Sequence, residues 1–139
     1  MKKVLVLCTG NSCRSQIAHG FLNHYISNDD EVFSAVIEAH GLNTKAIETL
    51  AEVGIDISKN TSNLLDEYIN ISFDFIITVC DNAKESCPVF PKGKAIRIHQ
   101  NFSDPSKNGE EENMKEDFRK IREEINTFCK NFISENLAN

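Results

Sequence analysis

Val4-Leu5-Val6-Leu7-Cys8-Thr9-Gly10-Asn11-Ser12-Cys13-Arg14-Ser15 is the stretch from which the fold of this chain can be predicted. The four apolar residues predict a buried strand, and the polar loop after them leads into a helix whose N-terminus favours negative charge. A loop wound around Cys8 can turn its backbone N–H groups inward, so it can bind an oxyanion and lower the pKa of the thiol. The stretch therefore predicts a thiolate that faces a tetrahedral oxyanion at the end of a strand.

The side chains of this stretch have distinct predicted roles. Cys8 is the candidate nucleophile, and the planar guanidinium of Arg14 matches two oxygens of a bound anion. Ser15 can donate a hydrogen bond to the thiolate. The candidate oxyanion-binding residues are Thr9, Gly10, Asn11, Ser12, Cys13 and Arg14.

Length and composition predict one ordinary domain spanning residues 1–139. A chain of this size, with 40% hydrophobic and 26% charged residues, can bury a core without disulfides. The net charge of −6 and the lack of a basic stripe argue against nucleic acid or an anionic membrane as a partner. No apolar run approaches the ~20 residues of a membrane span, and the run after Lys3 is too short for a signal peptide. We therefore expect a cytoplasmic protein whose cysteines are used as thiols.

Hydrophobic periodicity predicts strands that alternate with helices. Strands are predicted at residues 4–7, 32–37, 73–79 and 94–99, the last of them edge-like. Helices are predicted at 15–25, at 42–53 ending at Gly54, through Leu64, Leu65 and Tyr68, and after a loop at 103–113. The core face of the last helix comprises Phe118, Ile121, Ile125, Phe128 and Phe132. This alternation predicts a parallel sheet with helices on both faces.

Chemically useful residues follow three of the predicted strands, at the carboxyl ends where open parallel sheets bind ligands. Cys8 follows the first strand, Cys80 follows the third, and Asp104 lies beyond the fourth. If the first and third strands are neighbours, their spacing of roughly 5 Å brings Cys8 and Cys80 close to disulfide range. With Cys87 nearby, three thiols can pass an oxidised state outward, which suits reduction of the oxyanion. Hydrolysis of a phosphate ester needs only Cys8, Arg14 and an acid such as Asp104, so both reactions remain open.

Five motifs carry a resemblance to a known family. They are Cys8-Thr9-Gly10-Asn11-Ser12-Cys13-Arg14-Ser15-Gln16, Ile37-Glu38-Ala39-His40-Gly41, Gly54-Ile55-Asp56-Ile57-Ser58, the pair Cys80 and Cys87-Pro88, and Asp104-Pro105. Together they resemble the thioredoxin-coupled arsenate reductases, which share the fold of the low-molecular-weight protein tyrosine phosphatases. The resemblance implies a four-stranded parallel open sheet of order 2-1-3-4, flanked by helices on both faces.

The resemblance also implies a cysteine relay that detoxifies arsenic. Cys8 would attack arsenate, and Cys80 would attack the arseno-cysteine and release arsenite. Cys87 would then attack Cys80 and leave a disulfide between Cys80 and Cys87 for thioredoxin to reduce.

The remaining roles follow the same family. Arg14 would bind the oxyanion, for which phosphate or sulfate can stand in, Ser15 would stabilise the thiolate, and Asp104 would be the general acid. We expect a monomer that needs no cofactor.

This sequence departs from the family at several positions. Some relatives bind potassium beside the loop with two acidic residues and with Asn11, Ser34 and Thr61. His19 and Asn63 stand here in place of those acids, so we expect no metal site and a positive charge from His19 when it is protonated. Val36 and Gln100 replace a usual glycine and a usual tryptophan, which bears on loop conformation rather than on chemistry.

Two alternative functions stay open. A low-molecular-weight phosphatase would use a Cys8 phosphocysteine, but Ser106 and Lys107 stand where aromatic residues usually hold an aryl phosphate. A non-catalytic thiol redox sensor or oxyanion-binding protein keeps the cysteines but has little use for Asp104. Structural zinc is disfavoured because Cys80 and Cys87 are more widely spaced than paired zinc ligands. We expect structural roles for Cys129, Tyr25, Tyr68, His40 and His99.

Overall fold

The computed structural model describes residues 2–8, 13–27, 29–36, 44–58, 64–79, 95–102 and 111–137. The strands within these ranges are β1 (Lys3–Cys8), β2 (Glu31–Val36), β3 (Phe75–Thr78) and β4 (Ile96–His99). The helices are α1 (Cys13–Tyr25), α2 (Thr44–Ala51) and α3 (Glu111–Asn136), with a short 3-10 helix at Leu65–Tyr68. Each of these elements has the type that the sequence predicts, with bounds that differ by a few residues.

All the pairings within the sheet are parallel, in the order β2-β1-β3-β4, which confirms the predicted topology. The central position of β1 explains its unbroken apolar run, because Val4 to Leu7 are covered on both faces and have 0% exposure. Cys8 pairs with Val36, and Leu7 pairs with Thr78, which in turn pairs with His99. The carboxyl ends of the four strands therefore meet along one edge of the sheet.

Helical segments cover both faces of the sheet. Phe75 and Phe33 are in register with the adjacent β1 residues Val4 and Leu5, so their side chains point to opposite faces. Phe75 packs edge-to-face against Phe132 of α3, with 5.2 Å between ring centroids. On the other face, Phe33 packs in the same way against Tyr68 of the 3-10 helix at 5.4 Å. This two-sided burial confirms the predicted layers.

The turn that terminates α2 contains the glycine that the sequence predicts, three residues after the last helical residue, Ala51. Gly54 has φ of 83°, and its N–H donates to the carbonyl of Ala51 while the N–H of Ile55 donates to the carbonyl of Leu50. These two bonds form a Schellman motif, which needs a left-handed residue at this position. The motif turns the chain sharply toward Ile57, which is buried in the core.

The predicted loop at 103–113 is wrong at its C-terminal end, because α3 already begins at Glu111. Polar composition suggested a loop there, but acidic residues such as Glu111 and Glu112 are also favoured in the first turn of a helix. The predicted core face of α3 is confirmed, since Phe118, Ile121, Ile125 and Phe132 are buried and Phe128 is half-buried against the core. Among the described helices, none combines the length and apolar character that crossing a membrane would require.

Candidate active site

Cys8 ends β1 at the carboxyl edge of the sheet. It is only 2% exposed, and its backbone is in register with Val36 of β2. Helix α1 begins at Cys13, so strand and helix bracket the predicted oxyanion loop as the sequence requires. Burial alone raises the pKa of a thiol, so a reactive Cys8 needs compensation from hydrogen-bond donors and positive charge.

Arg14 lies in the first turn of α1 and reaches across the edge of the sheet. Its Nη1 atom donates to the carbonyl oxygen of Phe102 at 2.8 Å. Phe102 follows β4 and lies two positions before Asp104 in sequence. The guanidinium thus joins the start of α1 to the segment that leads to the predicted acid.

Ser15 is fully buried in the same turn of α1, with 0% exposure. Its Oγ atom has no hydrogen-bond partner within the described part of the chain. An unsatisfied buried hydroxyl costs about 1 to 3 kcal/mol, so its presence in a first helical turn needs an explanation. A Ser15 hydroxyl that donates a hydrogen bond to a thiolate would account for it.

His19 belongs to a buried polar cluster between α1 and β2. Its Nδ1 atom lies 2.7 Å from the Oγ atom of Ser34, which also accepts a hydrogen bond of 3.3 Å from the Gln16 amide. The nitrogen of the Gln16 amide can only donate, so it uses a lone pair of Ser34 Oγ and not the hydroxyl proton. Ser34 can therefore donate that proton to Nδ1 of His19. Burial lowers the pKa of His19 to about 4. The expectation that His19 supplies a positive charge is therefore wrong for neutral solution, because desolvation disfavours the imidazolium.

The ends of β3 and β4 complete the described part of the edge. The N–H of Val79 donates to the carbonyl of Leu7 at 3.1 Å, and the N–H of Phe102 donates to the carbonyl of Val79 at 3.1 Å. Thr78 Oγ1 and His99 Nδ1 are 2.7 Å apart, which gives His99 the structural role predicted for it. The chain therefore leaves β3 toward Cys80 directly beside the end of β1.

The other predicted site residues lie outside the described ranges or have no described side chain. They are Thr9, Gly10, Asn11, Ser12, the side chain of Cys13, Cys80, Cys87 and Asp104, together with Thr61, Asn63 and His40. Val36 and Gln100 are described: Val36 is buried in β2, and Gln100 is exposed just after β4. Within the described ranges, no three His, Cys, Asp or Glu side chains are grouped as they would be around a metal ion.

Three further predictions concern residues with structural roles. Cys129 has 0% exposure, its Sγ atom lies 3.7 Å from the carbonyl of Ala18, and burial raises the pKa of its thiol. Tyr25 donates to Asn126 Oδ1 at 2.5 Å, and Tyr68 packs against Phe33. Their packing roles are confirmed.

Comparison with known proteins agrees with this geometry. The sequence pattern described as low molecular weight phosphotyrosine protein phosphatase matches residues 3–139. The chain belongs to this phosphatase family. An arsenate reductase from Shouchella clausii is 46% identical over 132 residues, which cover 94% of each chain.

Solved structures of the phosphatase family give the same result. A structure described as an arsenate reductase in the phosphate binding state superposes with a TM-score of 0.79 at 29% identity, covering 97% of this chain and 98% of that one. One described as an arsenate reductase in the oxidized state gives a TM-score of 0.78 at 28% identity, with the same coverage. These relatives confirm the resemblance that the motifs predict.

For this member of the phosphatase family, two site features could not be read from the sequence. The carbonyl oxygen of Phe102, which binds Arg14, carries no side-chain signature. Gln16 is part of a motif, but its contact with Ser34 depends on how α1 packs on β2. The apolar character of Phe102, three positions after β4, was the only sign in the sequence that this residue is held in the core.

Proposed function

We propose that this protein reduces arsenate to arsenite through a relay of Cys8, Cys80 and Cys87, and that thioredoxin recycles it. Relatives named arsenate reductase, one of them 46% identical, support the reaction. The three cysteines of the sequence support the relay. The protein acts in the cytoplasm, because a thiol relay needs a reducing compartment. A monomer suffices, since all three cysteines of the relay belong to one chain.

The first step is nucleophilic attack on a bound oxyanion. The Cys8 thiolate attacks arsenic and forms a sulfur–arsenic bond, while an arsenate oxygen leaves as water after protonation by Asp104. The guanidinium of Arg14 and the loop N–H groups bind the remaining oxygens. The buried Ser15 hydroxyl, which has no described hydrogen-bond partner, supports its assignment as a donor to the Cys8 thiolate.

The next step reduces arsenic at the expense of sulfur, and the step after it moves the resulting disulfide away from Cys8. The Cys80 thiolate attacks Cys8 Sγ, a disulfide forms, and the sulfur–arsenic electron pair leaves with arsenic as arsenite. The Cys87 thiolate then attacks Cys80 Sγ and restores the Cys8 thiolate. Thioredoxin supplies two electrons to the resulting disulfide between Cys80 and Cys87.

One observation favours reduction over hydrolysis. The backbone of Val79, the residue before Cys80, is hydrogen-bonded at 3.1 Å to Leu7, the residue before Cys8. Val79 and Leu7 are thus neighbours across the sheet, and each of them directly precedes a cysteine in the sequence. Hydrolysis of a phosphate ester would not require a cysteine at position 80.

A phosphatase is the second candidate, and membership of the phosphatase family favours it. Both reactions begin with the same Cys8 adduct, so Cys87 separates them. We expect Cys87→Ser to complete no more than one arsenate turnover per protein with thioredoxin present. In a separate assay without arsenate, its hydrolysis of p-nitrophenyl phosphate should be unchanged. Cys129→Ala is the matched control, because Cys129 is a buried cysteine of the core. Undiminished multiple turnover by Cys87→Ser would exclude the relay.

The non-catalytic redox sensor is tested through Asp104. Catalysis needs an acid there and a sensor does not, so we expect Asp104→Asn to lower arsenate turnover about a hundredfold. Unchanged turnover would remove the general-acid role. A complete absence of turnover in the unmodified protein would favour the sensor.

A further inference from the structure

We infer that Phe102 is a positioning residue for oxyanion binding, because its carbonyl oxygen orients the Arg14 guanidinium. The inference rests on the proposed function only in assigning Arg14 to the oxyanion. The contact that carries it is the 2.8 Å hydrogen bond from Arg14 Nη1 to Phe102 O, between residues 88 positions apart in sequence.

The chemistry of the acceptor suits this role. A guanidinium has donors fixed in one plane, so a bond to Nη1 restricts the rotation of the whole fork. A carboxylate in the place of this carbonyl would neutralise the positive charge and compete with the oxyanion. The neutral carbonyl of Phe102 can orient Arg14 without itself neutralising the positive charge.

Phe102 is itself held from two further directions. Its N–H donates to the carbonyl of Val79 at 3.1 Å. Its ring is 5% exposed and packs edge-to-face on Phe128 of α3, with 5.8 Å between ring centroids. Helix α3 thereby holds the backbone of Phe102 in place, and the carbonyl of Phe102 in turn orients Arg14. Truncating the Phe102 ring should therefore leave this carbonyl free to move.

The test measures binding of inorganic phosphate, through calorimetry and through protection of Cys8 from iodoacetamide. We expect Phe102→Ala to weaken phosphate binding about tenfold, near the lower end of what one hydrogen bond to a charged group contributes. Phe102→Leu should restore most of the affinity, because leucine retains the apolar anchor. Phe73→Ala is the control. Phe73 is similarly buried, but it lies just before β3 and packs on Phe33.

A double-mutant cycle separates positioning from general destabilisation. If Phe102 acts through Arg14, the tenfold effect of Phe102→Ala should shrink to less than twofold in an Arg14→Lys background. Should Phe102→Ala fail to fold, Phe128→Ala removes the support of the Phe102 ring, together with a stacked contact to Phe132, and should weaken phosphate binding in the same direction.

Three results would overturn the inference. The first is that Phe102→Ala weakens phosphate binding equally in both backgrounds, and the second is that Phe73→Ala weakens it as much as Phe102→Ala does. The third, where Phe128→Ala is the variant tested, is unchanged phosphate binding. Phosphate binding does not require arsenate reduction. A protein that binds phosphate in this Phe102-dependent way but turns over no arsenate would contradict the proposed function and leave the inference intact.

Discussion

The Nδ1 atom of His19 lies 2.7 Å from the Oγ atom of Ser34, so a helix imidazole is joined to a strand hydroxyl beneath the active-site edge. Burial makes this imidazole hard to protonate and lowers its pKa to about 4. The polar link between α1 and β2 is therefore neutral at physiological pH. It joins the helix that carries Arg14 to the strand that pairs with Cys8.

The stability of the fold should depend on pH through His19. In the unfolded chain the imidazole binds a proton near the ordinary histidine pKa of 6.5, whereas in the fold it does so only near 4. The unfolded state thus binds more protons in this window, so the free energy of unfolding falls as pH falls from 6.5 toward 4. Between pH 7.5 and 4.5 we expect a loss of about 2 to 3 kcal/mol from this group.

Urea denaturation at these two pH values measures the effect. In His19→Gln the pH-dependent loss should shrink by that amount, because glutamine does not titrate. His24→Gln is the matched control, since His24 is exposed on the same helix. Equal pH dependence in His19→Gln and the unmodified protein would show that His19 does not carry it.

Ser15→Ala should separate function from stability. The Ser15 hydroxyl is buried without a described partner, so its removal should leave the free energy of unfolding unchanged or raise it by about 1 kcal/mol. Loss of a donor to the thiolate should lower the rate of Cys8 alkylation at pH 7 several-fold, which mass spectrometry can follow. A destabilised variant with unchanged Cys8 reactivity would instead assign Ser15 a structural role.

Cys129 should be unreactive in the native protein. Its thiol is fully buried and its pKa is raised by desolvation, so iodoacetamide should spare Cys129 until urea unfolds the chain. Cys129→Ala should cost about 1 kcal/mol in stability, through the small cavity left behind, and leave arsenate turnover intact. Rapid native labelling at Cys129 would contradict its assignment as a core residue.

The sequence predicts those parts of the fold that depend on local patterns. The apolar run at Val4 to Leu7 indicates a covered strand, and Gly54 indicates a helix end, because each pattern has a direct physical cause. The start of α3 at Glu111 could not be predicted from composition, since acidic residues suit both a polar loop and a first helical turn.

The sequence predicts only those parts of the site that depend on the chemistry of particular side chains. Cys8 ends β1, and Arg14 and Ser15 lie in the first turn of α1. The neutral state of His19 depends on burial by the folded chain, and the acceptor for Arg14 is the backbone of Phe102. Neither property has a sequence signature.

The central claim is that three thiols reduce arsenate and thioredoxin recycles them. The most direct measurement is arsenate-dependent oxidation of NADPH in the presence of thioredoxin and thioredoxin reductase. We predict sustained oxidation by the unmodified protein and by Cys129→Ala, and none beyond a single turnover by Cys87→Ser. No arsenate-dependent oxidation by the unmodified protein, together with continued hydrolysis of p-nitrophenyl phosphate, would contradict the claim.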